Sequence, residues 1–505
     1  MQTVKVLGDY VDGKFLRSRG SENRIVSSDP GDSGYRIGSF PVFPAHIDEA
    51  VSVARRAFGG WRRRSHTERA HILRKFSAEV VNHRDELIEL VAAETGKPLW
   101  EAEKEVCQVE AQLETEIREG VRAVSPFKVG EVKFGLEGSV GYRPLGIMVV
   151  LGSAISPVHL PISQIMPALV AGCSVVFKPS KLVSATGQFI ARLFDEIDLP
   201  RGVFNLLQGD ANYGLTLATH EGVDGVLFTG SCTAGRRLLT ALAEQPHKLA
   251  ALQMGGVNLA VVLEDADLDR AVCECVKGAY LTTGQQYTST GVVLVHKKVF
   301  ERFADGFLDI TRRLKVGYAF DRGVFMGPLL SEAARERFLD LQQRLVSAGA
   351  RAVLKGEPLA AGRPGHYVGP ALLAFEKPES INALRPEGLS FGPDVILVPF
   401  VSDKEGLDLA ATNRYPFAAA VFSEDREHRA RWAEELNYGL LNFNLATTEM
   451  TMRLPLVGVG ECGNNRPGGV FAQRNCTHPV SSLTANTPFE SARLPKNFPR
   501  PKRRD

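Results

Sequence analysis

The chain has 505 residues, of which 44% are hydrophobic and 23% charged, and its formal net charge is +2. This length predicts roughly two to four domains around a large core, and the small charge excludes the strongly basic surface that a nucleic-acid-binding protein presents. No apolar run of about 18 residues occurs, and no apolar segment lies near the start. We therefore expect neither a membrane span nor a secretory signal.

The seven cysteines are irregularly spaced, and no C-x-x-C pair occurs. They are Cys107, Cys173, Cys232, Cys273, Cys275, Cys462 and Cys476. An odd number without a regular pattern argues against a disulfide framework or a zinc site. We expect a reducing, cytoplasmic location and no bound metal.

Residues 45–58 place apolar side chains on one helical face, and the two glycines that follow are expected to end that helix. Ser65 and Glu68 have the spacing of a capping box, which predicts the start of a long amphipathic helix toward Glu94. The first 120 residues or so are therefore predicted to be mostly helical.

Glycines and alternating apolar and polar residues between 126 and 145 predict a β-hairpin. Short apolar segments then alternate with helical stretches, as in βαβ units whose parallel strands are buried on both faces. These segments are 147–151, 174–178, 203–207 and 225–229. A second α/β region is expected from about 265 to 460, with strands at 291–296 and 394–400, and a last strand follows at 478–486.

Two glycine-containing segments are candidates for binding a nucleotide. Residues 458–463 match G-x-G-x-x-G, but no βαβ unit can follow them, so we expect a simple loop there. The segment 225–235 is a stronger candidate, because a buried strand leads into Gly230 and Ser231 just before a helix. Free N–H groups at a helix start suit a pyrophosphate. Lys178 supports this site, since it ends a parallel strand at the edge where α/β sheets bind ligands.

Seven segments, in order, resemble the aldehyde dehydrogenase superfamily. They are ETGKPLWEA (94–102), RPLGIMVV (143–150), PALVAGCSVVFKPS (167–180), LPRGVFNLLQG (199–209), LFTGS (227–231), MGGVN (254–258) and FGP (391–393). The similarity runs over roughly residues 45–490. Within the superfamily, HLP (159–161), GQQ (284–286), NFN (442–444) and GNNRPGGV (463–470) look most like succinylglutamate-semialdehyde dehydrogenases.

The resemblance implies an α/β fold with three parts. A Rossmann-like nucleotide-binding domain would comprise residues 1–125 and 146–264, and a catalytic-type α/β domain residues 265–462. Residues 126–145 and 478–490 would form a small β extension for oligomerisation, followed by a basic tail at 491–505. We expect a dimer or tetramer of this chain, or pairing with an active relative.

In the chemistry that the resemblance implies, a cysteine thiolate attacks an aldehyde, a hydride passes to NAD or NADP, and water hydrolyses the thioester. An asparagine holds the oxyanion, one glutamate is the general base, and another binds the nicotinamide ribose. At these positions the chain has Tyr287 for the cysteine, Ile155 for the asparagine, Gln253 for the base and Leu389 for the ribose glutamate.

None of these replacements supplies the lost chemistry. A phenol has an ordinary pKa near ~10, and an amide cannot accept the proton that a carboxylate accepts. Glu387 would replace the ribose ligand only if its loop shifted. Cys273 and Cys275 precede the tyrosine on a predicted helix, where 12 residues span about 18 Å, so neither is expected to reach the pocket.

The cofactor motif is also altered. Lys178 and Ser180 match the family pattern, as do Gly230 and Ser231, but Lys181 replaces the carboxylate that accepts from the adenine ribose. A decayed nucleotide site is the expectation, so binding of NAD or NADP is doubtful. The alternative is that Lys181 contacts the 2′-phosphate of NADP.

Three functions remain open from the sequence. The leading hypothesis is a catalytically inactive member of the superfamily that acts as a scaffold, assembly partner or regulator. The first alternative is an NAD(P)-dependent semialdehyde dehydrogenase with an atypical active site. The second is a nucleotide-binding sensor without catalysis.

Overall fold

The computed structural model describes residues 3–16, 23–133, 135–377, 384–385, 392–486 and 494–499. The N-terminal region begins with strands, although the sequence predicted mainly helices there. The strands are β1 (Asp9–Val11), β2 (Lys14–Leu16), β3 (Arg24–Asp29) and β4 (Asp32–Pro41). Four helices follow, α1 (His46–Trp61), α2 (His66–Asn82), α3 (Arg84–Thr95) and α4 (Leu99–Arg118). The helical prediction therefore holds only from residue 46 onward.

Two helix boundaries differ from the sequence prediction. Helix α1 continues through the glycines at 59 and 60, because Trp61 is buried and its Nε1–H donates to the carbonyl of Leu169 at 3.0 Å. The capping box of Ser65 and Glu68 is present, but the helix it opens stops at Asn82. His83 has non-helical backbone angles there and separates α2 from α3.

The first sheet is the predicted parallel βαβ sheet. Its order is β11-β10-β7-β8-β9-β1-β2, with the hairpin of β1 and β2 added antiparallel at one edge. Its parallel strands are β7 (Ile147–Leu151), β8 (Ser174–Lys178), β9 (Phe204–Leu206), β10 (Gly225–Gly230) and β11 (Leu249–Met254). The helices that alternate with them are α5 (His159–Ala171), α6 (Ser184–Asp195), α7 (Ala211–Thr219) and α8 (Cys232–Leu242). Strands β7 and β8 are buried on both faces, which explains their continuous apolar sequences.

The second sheet also has seven strands, in the order β14-β15-β16-β13-β12-β17-β18. They are β12 (Asn258–Val262), β13 (Thr290–His296), β14 (Arg351–Leu354), β15 (Ala371–Ala374), β16 (Asp394–Phe400), β17 (Ala418–Phe422) and β18 (Leu440–Phe443). Its helices are α9 (Leu268–Tyr280), α10 (Phe300–Arg312), α11 (Glu332–Ser347), α12 (Asp403–Ala411) and α13 (Arg426–Glu435). Strand β12 lies in this sheet, so the chain changes sheets before residue 258 rather than at the predicted domain limit of 264.

A three-stranded sheet stands apart from the two large ones. It consists of β5 (Phe127–Lys133), β6 (Leu136–Pro144) and β21 (Thr477–Ala485), and β21 is antiparallel to β6 over nine residue pairs. This sheet is the β extension expected from the sequence, while its role in oligomerisation stays a prediction. Two further antiparallel pairs are formed by β3 with β4 and by β19 (Pro455–Leu456) with β20 (Gly468–Gly469).

Short 3-10 turns occupy residues Gly120–Val124, Lys181–Val183, Leu281–Gly284, Gly460–Cys462 and Ala472–Cys476. The turn at Gly460–Cys462 lies within the G-x-G-x-x-G match, so that segment is a loop as expected. In the part of the chain that the structure describes, no helix has the length and apolar character needed to cross a membrane.

Candidate active site

A cleft of about 610 Å³ lies where strands β7, β8 and β10 of the first sheet end. The carboxyl ends of parallel strands meet at one edge of a sheet, and this is where ligands bind in open α/β folds. The predicted site residues that line the cleft are Ile155, Lys178, Ser180, Lys181, Gly230, Ser231 and Tyr287. Most of the candidate residues therefore line one cavity, while their roles stay predictions.

Lys178 is the buried cation of the cleft. It is the last residue of β8 and is only 6% exposed, and its Nζ donates to the carbonyl oxygens of Pro179 (2.8 Å) and Gly209 (3.1 Å). Burial lowers its pKa to about 8, with Lys181 adding to this effect and Asp210 opposing it. An anionic group in the cleft would raise this pKa and further favour the charged form of Lys178.

The turn between β10 and α8 forms the opposite wall. Ser231 caps α8, because its Oγ accepts a hydrogen bond from the N–H of Ala234 at 3.2 Å. A Cβ on Gly230 would lie 2.4 Å from the ring of Phe228, so a larger residue there would displace that ring. The helix start, with its partial positive charge, therefore lies at the cleft wall, which suits a phosphate.

Two exposed cations, Lys181 and Arg237, line the same cleft. Lys181 opens the 3-10 turn that Ser180 caps, and an Nη of Arg237 donates to the Oδ1 of Asn212 at 3.4 Å. Arg237 was not predicted from the sequence. It could have been predicted from the spacing of Ala234, Arg237 and Leu238, which places the three residues on one face of α8.

Tyr287 lies in the tyrosine loop, residues 282–291, and forms one wall of the cleft. Its side chain is 8% exposed, and its hydroxyl donates to the sulfur of Met450 at 3.1 Å. The ring packs edge-on against Phe417, with ring centroids 5.2 Å apart. Burial raises the pKa of the phenol above its ordinary value. No carboxylate or imidazole of the described residues is hydrogen-bonded to this hydroxyl.

The tyrosine loop has an unusual backbone that is held from both sides. Thr282 and Thr283 have φ values of 53° and 55°, and a Cβ on Gly284 (φ 66°) would meet the carbonyl oxygen of Gly392 at 2.0 Å. The Oγ of Thr283 donates to the carbonyl of Gly327 at 3.1 Å. The Oε1 of Gln285 accepts from the N–H of Leu330 at 3.0 Å. Such strain persists only where the surroundings impose it, so the loop is a preorganised platform.

Of the other predicted catalytic positions that the structure describes, one lines the cleft and one does not. Ile155 lines the cleft and presents an aliphatic group. Gln253, on β11, is absent from the described residues that line the cleft, and its Nε2 lies against Gly468, where a Cβ would come within 2.0 Å of it. Leu389 and Glu387 lie outside the described residues. The sequence thus located Ile155 and Tyr287 but could not tell in which direction Gln253 projects.

All seven cysteines lie in the described part of the chain, and none of them lines the cleft. On α9, Cys273 is exposed and Cys275 is buried in a core of the second sheet. Cys232 begins α8, but its thiol donates to the carbonyl of Gly255 at 3.3 Å and burial raises its pKa to about 11. The cleft therefore has no thiolate of its own.

The family model of the aldehyde dehydrogenase family matches residues 17–481. The chain belongs to this family. Curated aldehyde dehydrogenase relatives include the N-succinylglutamate 5-semialdehyde dehydrogenase of Chromobacterium violaceum, which is 34% identical over 95% of this chain and 96% of its own length. The enzyme of the same name from Vibrio cholerae is 33% identical over 96% of this chain and 98% of its own.

Solved aldehyde dehydrogenase structures confirm the fold. The NAD-dependent aldehyde dehydrogenase from Sinorhizobium meliloti superposes with a TM-score of 0.91 at 26% identity, covering 96% of each chain. An NADP-dependent enzyme from E. coli gives a TM-score of 0.89 at 26% identity, covering 95% of this chain and 98% of its own. The α/β aldehyde dehydrogenase architecture expected from the sequence is therefore confirmed.

Proposed function

We propose that this aldehyde dehydrogenase family member binds NAD(P) in its cleft and does not oxidise aldehydes through a covalent thioester. The observation that carries this proposal is the position of Tyr287 at the wall of an open dinucleotide-sized cleft, with its hydroxyl bonded to Met450. Such a protein would act as a scaffold, an assembly partner of itself or of an active relative, or a sensor of the nucleotide. This proposal joins two hypotheses drawn from the sequence. They are the inactive family member that acts as a scaffold or regulator, and the nucleotide-binding sensor without catalysis.

The residues of the cleft fit a dinucleotide. Lys178 is a buried cation beside the α7 start, and the capped start of α8 offers N–H groups to a pyrophosphate. Two of the solved family members are an NAD-dependent and an NADP-dependent enzyme. The expectation of a decayed nucleotide site has no support from these observations, and we withdraw it in favour of cofactor binding.

Lys181 and Arg237 favour NADP over NAD. Both are exposed cations that line the cleft, and a 2′-phosphate can accept hydrogen bonds from both. A lysine cannot accept from the ribose hydroxyls, as the carboxylate at this position would in NAD-binding relatives. NAD therefore loses one partner at this end of the cleft, whereas NADP gains two.

The proposed lack of aldehyde oxidation rests on the side chains at the end of the cleft where an aldehyde would react. A buried phenol with a raised pKa stays protonated near neutral pH and is therefore a poor nucleophile. Ile155 offers no donor to an oxyanion, and Gln253 has no carboxylate to activate water. Groups that act as one catalytic unit fail together, so a single surviving member would not sustain the reaction.

An active NAD(P)-dependent semialdehyde dehydrogenase with an atypical site is the second candidate. The comparisons support this candidate better than the inactive one, because the curated relatives are named as dehydrogenases at 33–34% identity over almost the whole chain. Nothing in those relatives indicates inactivity. If this candidate is correct, the substrate would be of the class that the names describe, an N-acylated amino-acid semialdehyde.

Two measurements on the purified chain separate the candidates. Calorimetric titration with NADP and NAD measures cofactor binding, and absorbance of the reduced cofactor measures turnover of N-succinylglutamate 5-semialdehyde. We expect saturable binding, tighter for NADP, and no cofactor reduction above a blank without protein. Reduction above the blank would overturn the non-catalytic proposal, and a Tyr287→Phe variant would then show whether the phenol takes part. Absence of binding for both cofactors would overturn the nucleotide proposal.

A further inference from the structure

Met450, whose sulfur accepts the hydrogen bond from Tyr287, is more exposed than the other methionines that the structure describes. The chain has seven methionines, of which Met1 lies outside the described residues. Five others are at most 8% exposed: Met148, Met166, Met254, Met326 and Met452. Met450 is half-buried. Because oxidation of a thioether requires contact with the oxidant, Met450 is the described methionine that an oxidant in solution reaches most readily.

The surroundings of Met450 give a small oxidant access to it. The residue lines a cavity of about 80 Å³ together with Trp100, Lys104 and Gln108 of α4, all three of which are exposed. The cavity therefore lies at the protein surface. In the same measure a single water needs about 10–15 Å³, so hydrogen peroxide, with two heavy atoms, can enter without displacing the chain.

Residues 444–454 connect β18 to β19 and form the methionine loop, which is fastened to the tyrosine loop. The Oγ1 of Thr447 donates to the carbonyl oxygen of Thr288 at 2.7 Å and accepts from the Oγ1 of Thr290 at 2.8 Å. Thr447 is fully buried, so these bonds are shielded from water. The two loops therefore hold the methionine sulfur close to the phenol.

Tyr287 acts on the sulfur as a hydrogen-bond donor. Its O–H points to the Sδ of Met450 across 3.1 Å. Burial raises the pKa of the phenol, so the hydroxyl stays protonated near neutral pH. A thioether is a weak acceptor with two lone pairs, of which this bond occupies one. The bond draws electron density away from the sulfur and makes it less nucleophilic, while the second lone pair remains available for reaction.

We propose that Met450 is a reversible oxidation site, where hydrogen peroxide converts the thioether to a sulfoxide at a rate that the Tyr287 hydroxyl restrains. The free lone pair of the sulfur attacks one peroxide oxygen, so an S–O bond forms and the O–O bond breaks. The departing hydroxide takes the proton of the attacked oxygen and leaves as water. The sulfur loses two electrons, and the peroxide gains them. Reductases that act on methionine sulfoxide restore the thioether.

The oxidation reaches the cleft through Tyr287. A sulfoxide is polar and chiral, whereas the thioether is apolar and flexible. The sulfoxide oxygen is a stronger acceptor than the sulfur, so oxidation changes the partner that the phenol faces. Tyr287 forms one wall of the cleft and packs against Phe417, so a change at Met450 alters the position of that wall. The site therefore couples an oxidant in solution to the cleft, whether or not a nucleotide binds there.

The test treats the full chain with hydrogen peroxide at neutral pH and measures the addition of one oxygen to each methionine by peptide mass spectrometry. Met452 is the internal control, because it is close in sequence and only 8% exposed. We expect Met450 to react about tenfold faster than Met452, since oxidation follows exposure. Fragment masses distinguish the two residues and separate both from oxidised cysteines. Incubation with a methionine sulfoxide reductase and dithiothreitol should remove the oxygen added to Met450.

The variant Tyr287→Phe keeps the ring and removes the donor. We expect severalfold faster oxidation of Met450 in this variant and an unchanged rate at Met452. Tyr10→Phe is the matched control, because Tyr10 in β1 is also buried and donates to the Oδ1 of Asp195 at 3.0 Å. It should leave both rates unchanged.

Met450→Leu, which nearly keeps the side-chain volume, tests the coupling to Tyr287. Near-ultraviolet circular dichroism should change on oxidation of the wild type, and this change should be absent from Met450→Leu and from Tyr287→Phe.

The proposal is overturned if Met450 reacts no faster than Met452, or if the reductase leaves the sulfoxide in place. It is also overturned if Tyr287→Phe leaves the rate at Met450 unchanged or raises both rates equally. The comparison of Met450 with Met452 needs no variant, so it decides the test even if a variant fails to fold. Neither cofactor binding nor turnover enters these measurements, so failure of the proposed function would not affect this result.

Discussion

The hydroxyl of Tyr287 donates a hydrogen bond to the sulfur of Met450 across 3.1 Å. The ring is buried and packs edge-on against Phe417, and we propose that Tyr287 serves as a structural side chain at the position that resembles the nucleophile of the family motif. A thioether is a weak acceptor and not a base. The contact therefore holds the phenol in place without activating it, and the consequences for stability and for activity can be tested separately.

If packing is the main role of Tyr287, its ring should matter more than its hydroxyl. We expect Tyr287→Phe to change the free energy of unfolding by less than about 1 kcal/mol, because a bond to sulfur contributes little. Tyr287→Ala should cost about 3–5 kcal/mol, because it leaves a cavity in the core. Urea unfolding of the three proteins measures both values. An equal loss in the free energy of unfolding in both variants would show that the hydroxyl, and not the ring, stabilises the protein.

Restoring the thiol alone should not restore chemistry. We expect Tyr287→Cys to show no more cofactor reduction with N-succinylglutamate 5-semialdehyde than the wild type, since Ile155 remains at the expected oxyanion position and Gln253 lies outside the cleft. Adding Ile155→Asn should still not raise turnover, because residue 253 lies against Gly468 and no base would reach the thiol. Absorbance of the reduced cofactor measures this. A fully active single variant would mean that another group in the cleft supplies the base.

Lys181 should discriminate between the two cofactors. We expect Lys181→Glu to weaken NADP binding by about tenfold, because a carboxylate repels the 2′-phosphate, and to strengthen or preserve NAD binding. Ser231→Glu should weaken both, since it places a negative charge at the start of α8. Calorimetry measures the dissociation constants, with Lys128→Glu in β5 as the control for a change of net charge. An equal effect of Lys181→Glu on both cofactors would place Lys181 away from the 2′-phosphate.

Glu116 should make stability depend on pH. It is fully buried on α4, and burial raises its pKa to about 8. Its stabilising contribution is complete below the ordinary carboxyl pKa of the unfolded chain, because both states are then protonated. As the pH rises toward 8, the unfolded state releases the proton first, so the free energy of unfolding falls by up to about 1.4 kcal/mol per pH unit.

The variant Glu116→Gln cannot titrate and should show a smaller fall over this range. Urea unfolding between about pH 5 and about pH 8 measures the difference between the two proteins. Glu103→Gln, at an exposed position of the same helix, should behave like the wild type. An identical pH dependence for wild type and Glu116→Gln would contradict the raised pKa.

The β extension presents exposed apolar side chains, among them Phe127 at 52% and Leu483 at 64% exposure. If this sheet pairs with another subunit, Phe127→Asp and Leu483→Glu should shift the chain from a dimer or tetramer toward the monomer. Light scattering after size exclusion measures the mass. Val401→Asp is the control, because Val401 is also exposed, at 58%, but lies outside the extension. A wild-type monomer would contradict the oligomer prediction.

The sequence predicted the parts of the fold that local patterns determine. Strands β7 and β8 follow from continuous apolar runs, and the capping box of Ser65 and Glu68 from its spacing. It did not predict that α1 continues through two glycines, because the burial of Trp61 outweighs their low helix propensity. Tertiary packing of this kind leaves no local trace in the sequence.

The positions of candidate site residues could also be predicted where local sequence patterns determine them. Lys178, Ser231 and Tyr287 could be placed at the ends of strands and loops, because the βαβ pattern fixes where those ends meet. The direction of Gln253 could not, since it depends on how β11 lies against Gly468, far along the chain. The burial of Glu101 and Glu116 on α4 was also missed. A buried glutamate within an amphipathic helix looks like any surface glutamate until the packing of that helix is known.

The pairing of β21 with β6 joins two segments that lie far apart in the sequence, since Thr477 lies opposite Pro144 and Ala485 opposite Leu136. A hairpin of β5 and β6 alone is only marginally stable in water. During synthesis the hairpin can therefore pair with its third strand only after nearly the whole polypeptide has left the ribosome. Assembly through this sheet would then be a late, post-translational event, and a chain truncated before β21 would be left with an unpaired strand edge prone to aggregation.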